Sequence, residues 1–148
     1  RVRDALDHLR PGLTPFVEGW MKKQHGADWG RAASRSHGGD PDGPLDVYGL
    51  LKTIVDNWRY TFESAFQQRE RFKVRNFVST ALDARNATAH LTLPLQDSEA
   101  LRYLDGIHEL LRATKAPQAE TAAIKALYDA QLRAAADSGE AAKAPADP

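Results

Sequence analysis

Residues Leu45–Phe66 read LDVYGLLKTIVDNWRYTFESAF, and in them Val47, Leu51, Ile54, Val55, Trp58, Phe62 and Phe66 recur at steps of three and four. That rhythm follows the 3.6-residue turn of an α-helix, which brings such positions onto one face. The turn residues Asp42-Gly43-Pro44 stand just upstream and suit a helix entry. The spacing therefore predicts one long helix reaching Phe66, its apolar stripe at the centre of a core.

The same rhythm extends in both directions. The stretch VRDALDHLR, residues 2–10, predicts a short helix broken at Pro11-Gly12. A second helix is expected to open at Thr14-Pro15, a hydroxyl cap with proline at the first helical position. Its stripe of Leu13, Phe16, Val17, Trp20 and Met21 stops near Gly26. Residues 30–43 are Gly/Ser/Asp-rich and aperiodic and read as a long loop, in which Arg35 and His37 read as solvated. After the basic stretch QQRERFKVRN, Val74, Phe77, Val78, Ala81 and Leu82 mark a fourth helix that ends before Pro94. A fifth starts near Asp97-Ser98 with Leu101, Leu104, Ile107, His108 and Leu111, and a sixth at Pro117 with Ile124, Leu127, Tyr128 and Leu132. Nothing alternates with period two for long, so the expected fold class is all-α, a bundle of five to six helices.

The whole chain sets limits on function. Its 148 residues, 42% hydrophobic and 27% charged, suit one ordinary core. Twenty basic residues balance twenty acidic ones, so any site for a polyanion has to be local. There is no cysteine, which excludes disulfides, thiolate metal sites and a thiol nucleophile. With no signal peptide and no apolar run of about 18 residues, the expected location is cytoplasmic and the membrane is not a partner. The first residue is Arg1 and the last twelve are DSGEAAKAPADP, which reads as a domain cut from a longer protein. The expected division is a helical domain over 1–116, an added helix over 117–136 packed on it, and a flexible tail or linker over 137–148.

Chemistry gathers at ARNATAH, residues 84–90. Asn86 and His90, at i and i+4, lie one above the other on a helix, whereas Arg85 sits about 140° around from His90. RNA cleavage without a metal needs a group that exchanges protons near neutrality, the range of an ordinary histidine. It also needs a fixed cation against the charge that builds on phosphorus, and a guanidinium is a planar fork of donors. Asn86 can orient the phosphate or the imidazole. The bare Arg-to-His spacing is weak, since it also occurs at Arg1 and Arg3 with His8, at Arg31 with His37, and at Arg102 with His108. Only the copy at Arg85 has an asparagine directly after the arginine and small alanines at 84, 87 and 89. The competing reading is a capped helix end with a solvated arginine. Elsewhere Trp58 and His108 read as core, Asn57 is open, and Arg69, Arg71, Lys73 and Arg75 form a charged face that could also meet RNA.

With these residues in place, the sequence resembles the HEPN superfamily, all-α domains many of which are metal-independent endoribonucleases. RNATAH fits the R-N-x-x-A-H form of its signature. The stretches LRPGLTPFVEGWMKKQHGADW, LDVYGLLKTIVDNWRYTFESAF and DSEALRYLDGIHELLRA are similar to the branch named after a eukaryotic RNA-surveillance endoribonuclease, found also at the N-termini of large prokaryotic defence ATPases and helicases. The resemblance implies a catalytic set of Arg85, Asn86 and His90, no cofactor or metal, and an RNA substrate. It implies a homodimer whose two motif helices share a cleft, and C-terminal partner domains such as an ATPase. An acidic residue usual upstream of the arginine has only Asp83 as a possible counterpart. Members that have lost catalysis act as dimerisation or nucleic-acid-sensing modules, the alternative function.

Overall fold

A computed structural model describes residues 1–33, 43–90 and 94–143. Its five α-helices are α1 (Val2–His25), α2 (Val47–Asp56), α3 (Gln68–Ala89), α4 (Asp97–Ala113) and α5 (Gln118–Lys143). No strand occurs among the described residues, as the periodicity requires. Arg35, His37 and most of the long loop lie outside them. None of the helices is long and apolar enough to cross a membrane.

The two short N-terminal helices expected on either side of Pro11-Gly12 are one helix, α1, with Pro11 and Pro15 inside it. Each proline removes a backbone donor, but Leu9, Leu13, Val17 and Met21 are fully buried along the same face. At about 1.5–3 kcal/mol per buried side chain, that stripe outweighs the lost bonds. Gly12 is there for space: a Cβ on it would stand 2.7 Å from Leu111 Cδ2 of α4. The helix ends at Gly26, whose φ of 72° favours glycine.

The long helix expected over the opening stretch is not continuous. Asp46 caps α2 by accepting from Gly49 N–H at 2.7 Å, and α2 stops at Asp56. A π turn follows over Trp58–Phe62, then a 3₁₀ turn over Glu63–Ala65. The reason is in the spacing: Ile54, Trp58, Phe62 and Phe66 are four residues apart. On an α-helix each such step drifts by about 40° around the axis, and a wider π turn winds that drift back. Asn57 holds the break, its side-chain amide donating to Ala32 O and Thr53 O at 3.2 and 3.0 Å. Trp58 and Phe62 stay buried, and Phe16, Phe62, Phe66 and Trp58 form a chain of ring contacts 5.6–5.9 Å apart.

Helix α4 is the hub of the bundle, packed on α3, α5 and α1. Its Leu104, Ile107, Leu110 and Leu111 are fully buried. Gly106 brings it against α3, because a Cβ there would meet Thr80 Cγ2 at 2.6 Å. Gly106→Ala is expected to lower stability by about 1–3 kcal/mol, and Thr80→Ser in the same chain should restore most of it. Gly19→Ala in α1, with nothing within 4 Å, is the control, expected to gain about 0.4–1 kcal/mol. Denaturant midpoints measure all three.

In α5, Ile124 is buried, but Leu132, read as inward, is 48% exposed. Gln131 takes the inner place, being one heptad from Ile124 and so about 20° off its line, against about 80° for Leu132. It accepts from Arg1 Nη1 at 3.0 Å and donates to Asp97 Oδ1 at 2.8 Å. The helix runs past residue 136 to Lys143, through alanine, glutamate and lysine. The extension also passes through Asp137, Ser138 and Gly139, which are poor helix formers, so neither propensity nor an apolar period announces it.

Candidate functional site

The last turns of α3 carry the motif. Val74, Val78, Ala81, Ala84 and Thr88 form its buried side, which leaves Arg85 half-buried and Asn86 and His90 exposed. Thr88 fixes the end of the helix: its hydroxyl donates to Ala84 O and Arg85 O at 3.0 and 3.1 Å. Arg3 of α1 donates to Thr88 O at 3.0 Å. His90 closes α3 with φ −120° and ψ 16°, its backbone N–H on Ala87 O. The expected helix end ahead of Pro94 is therefore where the sequence put it.

Arg85 is held, not loose. Its Nη1 donates to Asn86 Oδ1 at 3.2 Å, and its guanidinium carbon lies 4.7 Å from the centre of the Tyr48 ring in α2. Tyr48 was missed by sequence reasoning. It stands beside the apolar stripe of α2, where an aromatic gives no signal of what lies across from it. A cation over a ring face gains about 0.5–2 kcal/mol and holds the guanidinium against α2. The ring of His90 has no hydrogen-bond partner among the described residues. Within one chain, Arg85 remains about 140° around the helix from it.

The other arginine–histidine spacings have different fates. His8 Nδ1 is 2.7 Å from Glu120 Oε2, and His108 Nδ1 is 3.4 Å from Glu109 Oε1 in a half-buried setting. Arg102 lies over the ring of Tyr103. His37 is outside the described residues. The copy at Arg85 is thus distinguished by an anchored cation and, on another face of the same turns, an exposed imidazole that bonds to none of the described residues. Asp83 is exposed one turn before Ala87.

The basic run at the start of α3 does not act as one patch. Arg71 is half-buried, its Nε donating to Phe66 O at 3.1 Å and its Nη1 3.5 Å from Glu63, which ties α3 to the preceding turn. Arg69 leans on Glu70 at 3.7 Å. Lys73 and Arg75 are both exposed but lie about 160° apart around the helix. Trp58 is 8% exposed and belongs to the core. Among the described residues no three His, Asp or Glu side chains group closely enough to hold a metal ion.

In comparison with protein families, the family described as Swt1-like HEPN matches residues 4–115. The matched span contains α1 from Asp4 onward, α2 to α4 and all three motif residues, and leaves α5 outside. Neither curated proteins nor solved structures give a match to the chain.

Proposed function

The chain belongs to the Swt1-like HEPN family, and from that premise we propose that it is a metal-independent endoribonuclease domain of a larger defence or RNA-surveillance protein. The observation that carries the proposal is the end of α3, where an arginine fixed by Tyr48 and Asn86 shares the last turns with an exposed histidine whose ring has no hydrogen-bond partner among the described residues. In the proposed reaction His90 takes the proton of the ribose 2′-hydroxyl as the 2′-oxygen attacks phosphorus. The P–O5′ bond breaks and the leaving oxygen receives a proton. Arg85 balances the extra negative charge on phosphorus, and Asn86 orients the phosphate. The products are a 2′,3′-cyclic phosphate and a 5′-hydroxyl.

The 140° separation is resolved if two chains meet through α3, so that Arg85 of one works with His90 of the other. Ala87 and Ala89 keep that approach short. Ala87→Arg places a long cation in the seam and is expected to turn a dimer into a monomer on size-exclusion chromatography with light scattering, with cleavage lost in parallel. An unchanged mass would argue against the shared cleft.

The direct test incubates the chain with labelled single-stranded RNA in EDTA beside Arg85→Ala and His90→Ala. Cleavage lost in both variants supports the reading, and loss of wild-type cleavage in EDTA overturns the metal-free mechanism. Cleavage equal in all three overturns the residue assignment. The hold of Tyr48 and Asn86 on Arg85 also suits a silent dimerisation or nucleic-acid-sensing module, and no cleavage with the dimer intact would favour it.

A further inference from the structure

The two most exposed large apolar side chains of the described residues are Tyr60 and Phe72, each 75% exposed. They line the same cleft, of about 590 Å³, together with Arg59 and Arg75. Isolated exposed aromatics are common, but here two share one cleft with two guanidinium groups. The π turn builds it. By winding wide, that turn buries Trp58, Thr61 and Phe62 and leaves Arg59 and Tyr60 facing solvent.

The charges in the cleft are unbalanced. Its carboxylates are already paired, Asp56 with Lys52 at 3.3 Å and Glu63 with Arg71 at 3.5 Å. No ion pair engages Arg59 or Arg75 among the described residues, and Arg59 sits 5.9 Å from the centre of the Tyr60 ring. Flat faces for stacking beside unpaired guanidiniums are what single-stranded nucleic acids bind: bases lie on the rings and phosphates meet the cations.

We infer that the Tyr60–Phe72 cleft is a stacking platform for single-stranded RNA that holds the strand away from the scission point. The inference rests on reading the chain as an RNA-acting domain. Position along α3 supports it. Phe72 and His90 are eighteen residues apart, five turns of helix, so they share its solvent side at about 27 Å along the axis. Ser79 and Asn86 lie on or near the same line. A strand stacked at the platform can follow that face to the motif within a handful of nucleotides.

The test measures fluorescence polarisation of a labelled oligouridylate with the full chain carrying His90→Ala, which prevents turnover. Adding Tyr60→Ala or Phe72→Ala is expected to weaken binding about 5- to 150-fold, with Phe72→Trp close to the parent. Arg59→Ala with Arg75→Ala should reduce the slope of log affinity against log salt by about 1.4. All four side chains are exposed, and an unchanged thermal melt confirms that folding is not the cause. Affinity unchanged by the aromatic substitutions overturns the platform, as does failure of the parent to bind. If Phe72→Ala instead dissociates a dimer with RNA affinity intact, the cleft is a subunit contact and the proposal falls. Binding that depends on Phe72 in a chain that never cleaves RNA leaves the platform standing and overturns the catalytic reading. Binding that ignores Phe72 while cleavage depends on His90 does the reverse.

Discussion

His90→Ala is expected to lower RNA cleavage by about two to four orders of magnitude, the usual contribution of a general acid or base, with the melting temperature unchanged. The side chain is exposed at the end of α3 and makes no hydrogen bond or ion pair among the described residues. Arg85→Ala should cost about two to three orders, as when a preorganised donor to a developing anion is removed. Arg85→Lys should recover little, because an ammonium keeps the charge but loses the planar fork that lies on Tyr48 and bonds Asn86. The arrangement of the site is tested by mixing the two inactive alanine variants. If each site takes Arg85 from one chain and His90 from the other, half of randomly paired dimers are mixed and each restores one of its two sites. About a quarter of wild-type activity should then return. If each chain holds a whole site, mixing returns nothing.

Phe62→Ala is expected to lower stability by about 3–5 kcal/mol, out of a total of about 5–15 kcal/mol for a small domain. Phe62 is fully buried at the end of the π turn, its ring 5.6 Å from that of Phe16. Through Phe16 it is linked to the stack of Phe66 on Trp58. Truncation leaves a cavity where α1 meets the turn, and it removes the residue whose burial favours the wide winding. Denaturant unfolding should show an earlier midpoint with little change of slope, and a loss below about 1 kcal/mol would contradict this account. Phe66→Leu, at a half-buried position, should cost much less.

How much of this was legible in the sequence differs from element to element. The buried side of α3 could be read directly, since Val74, Val78 and Ala81 are core and their three- and four-residue spacing is a local property. The prolines of α1 were legible as residues but not as structure: a proline removes one bond locally, and whether the helix continues depends on what its stripe packs against. The step of four from Ile54 to Phe66 held the clue to the π turn, yet it is compatible with an ordinary helix until the packing of Phe16 and Ala32 fixes the winding. Gln131 and Leu132 are neighbours on one flank of α5. The heptad step from Ile124 turns Gln131 inward, and Arg1 and Asp97, distant in the chain, supply the partners that let an amide sit there.

The same division runs through the candidate site. Residue chemistry and neighbours singled out Arg85, Asn86 and His90, and the family match rests on sequence pattern alone. By itself the sequence determined the all-α class, the apolar stripes and the motif, because each depends on residues within a turn or two of one another. Tertiary structure decided that Tyr48 holds Arg85, that His8 is taken by Glu120 while His90 bonds to none of the described residues, and that Tyr60 and Phe72 emerge into one cleft. Those facts follow from how helices far apart in the chain cross and wind, and no local spacing encodes a crossing.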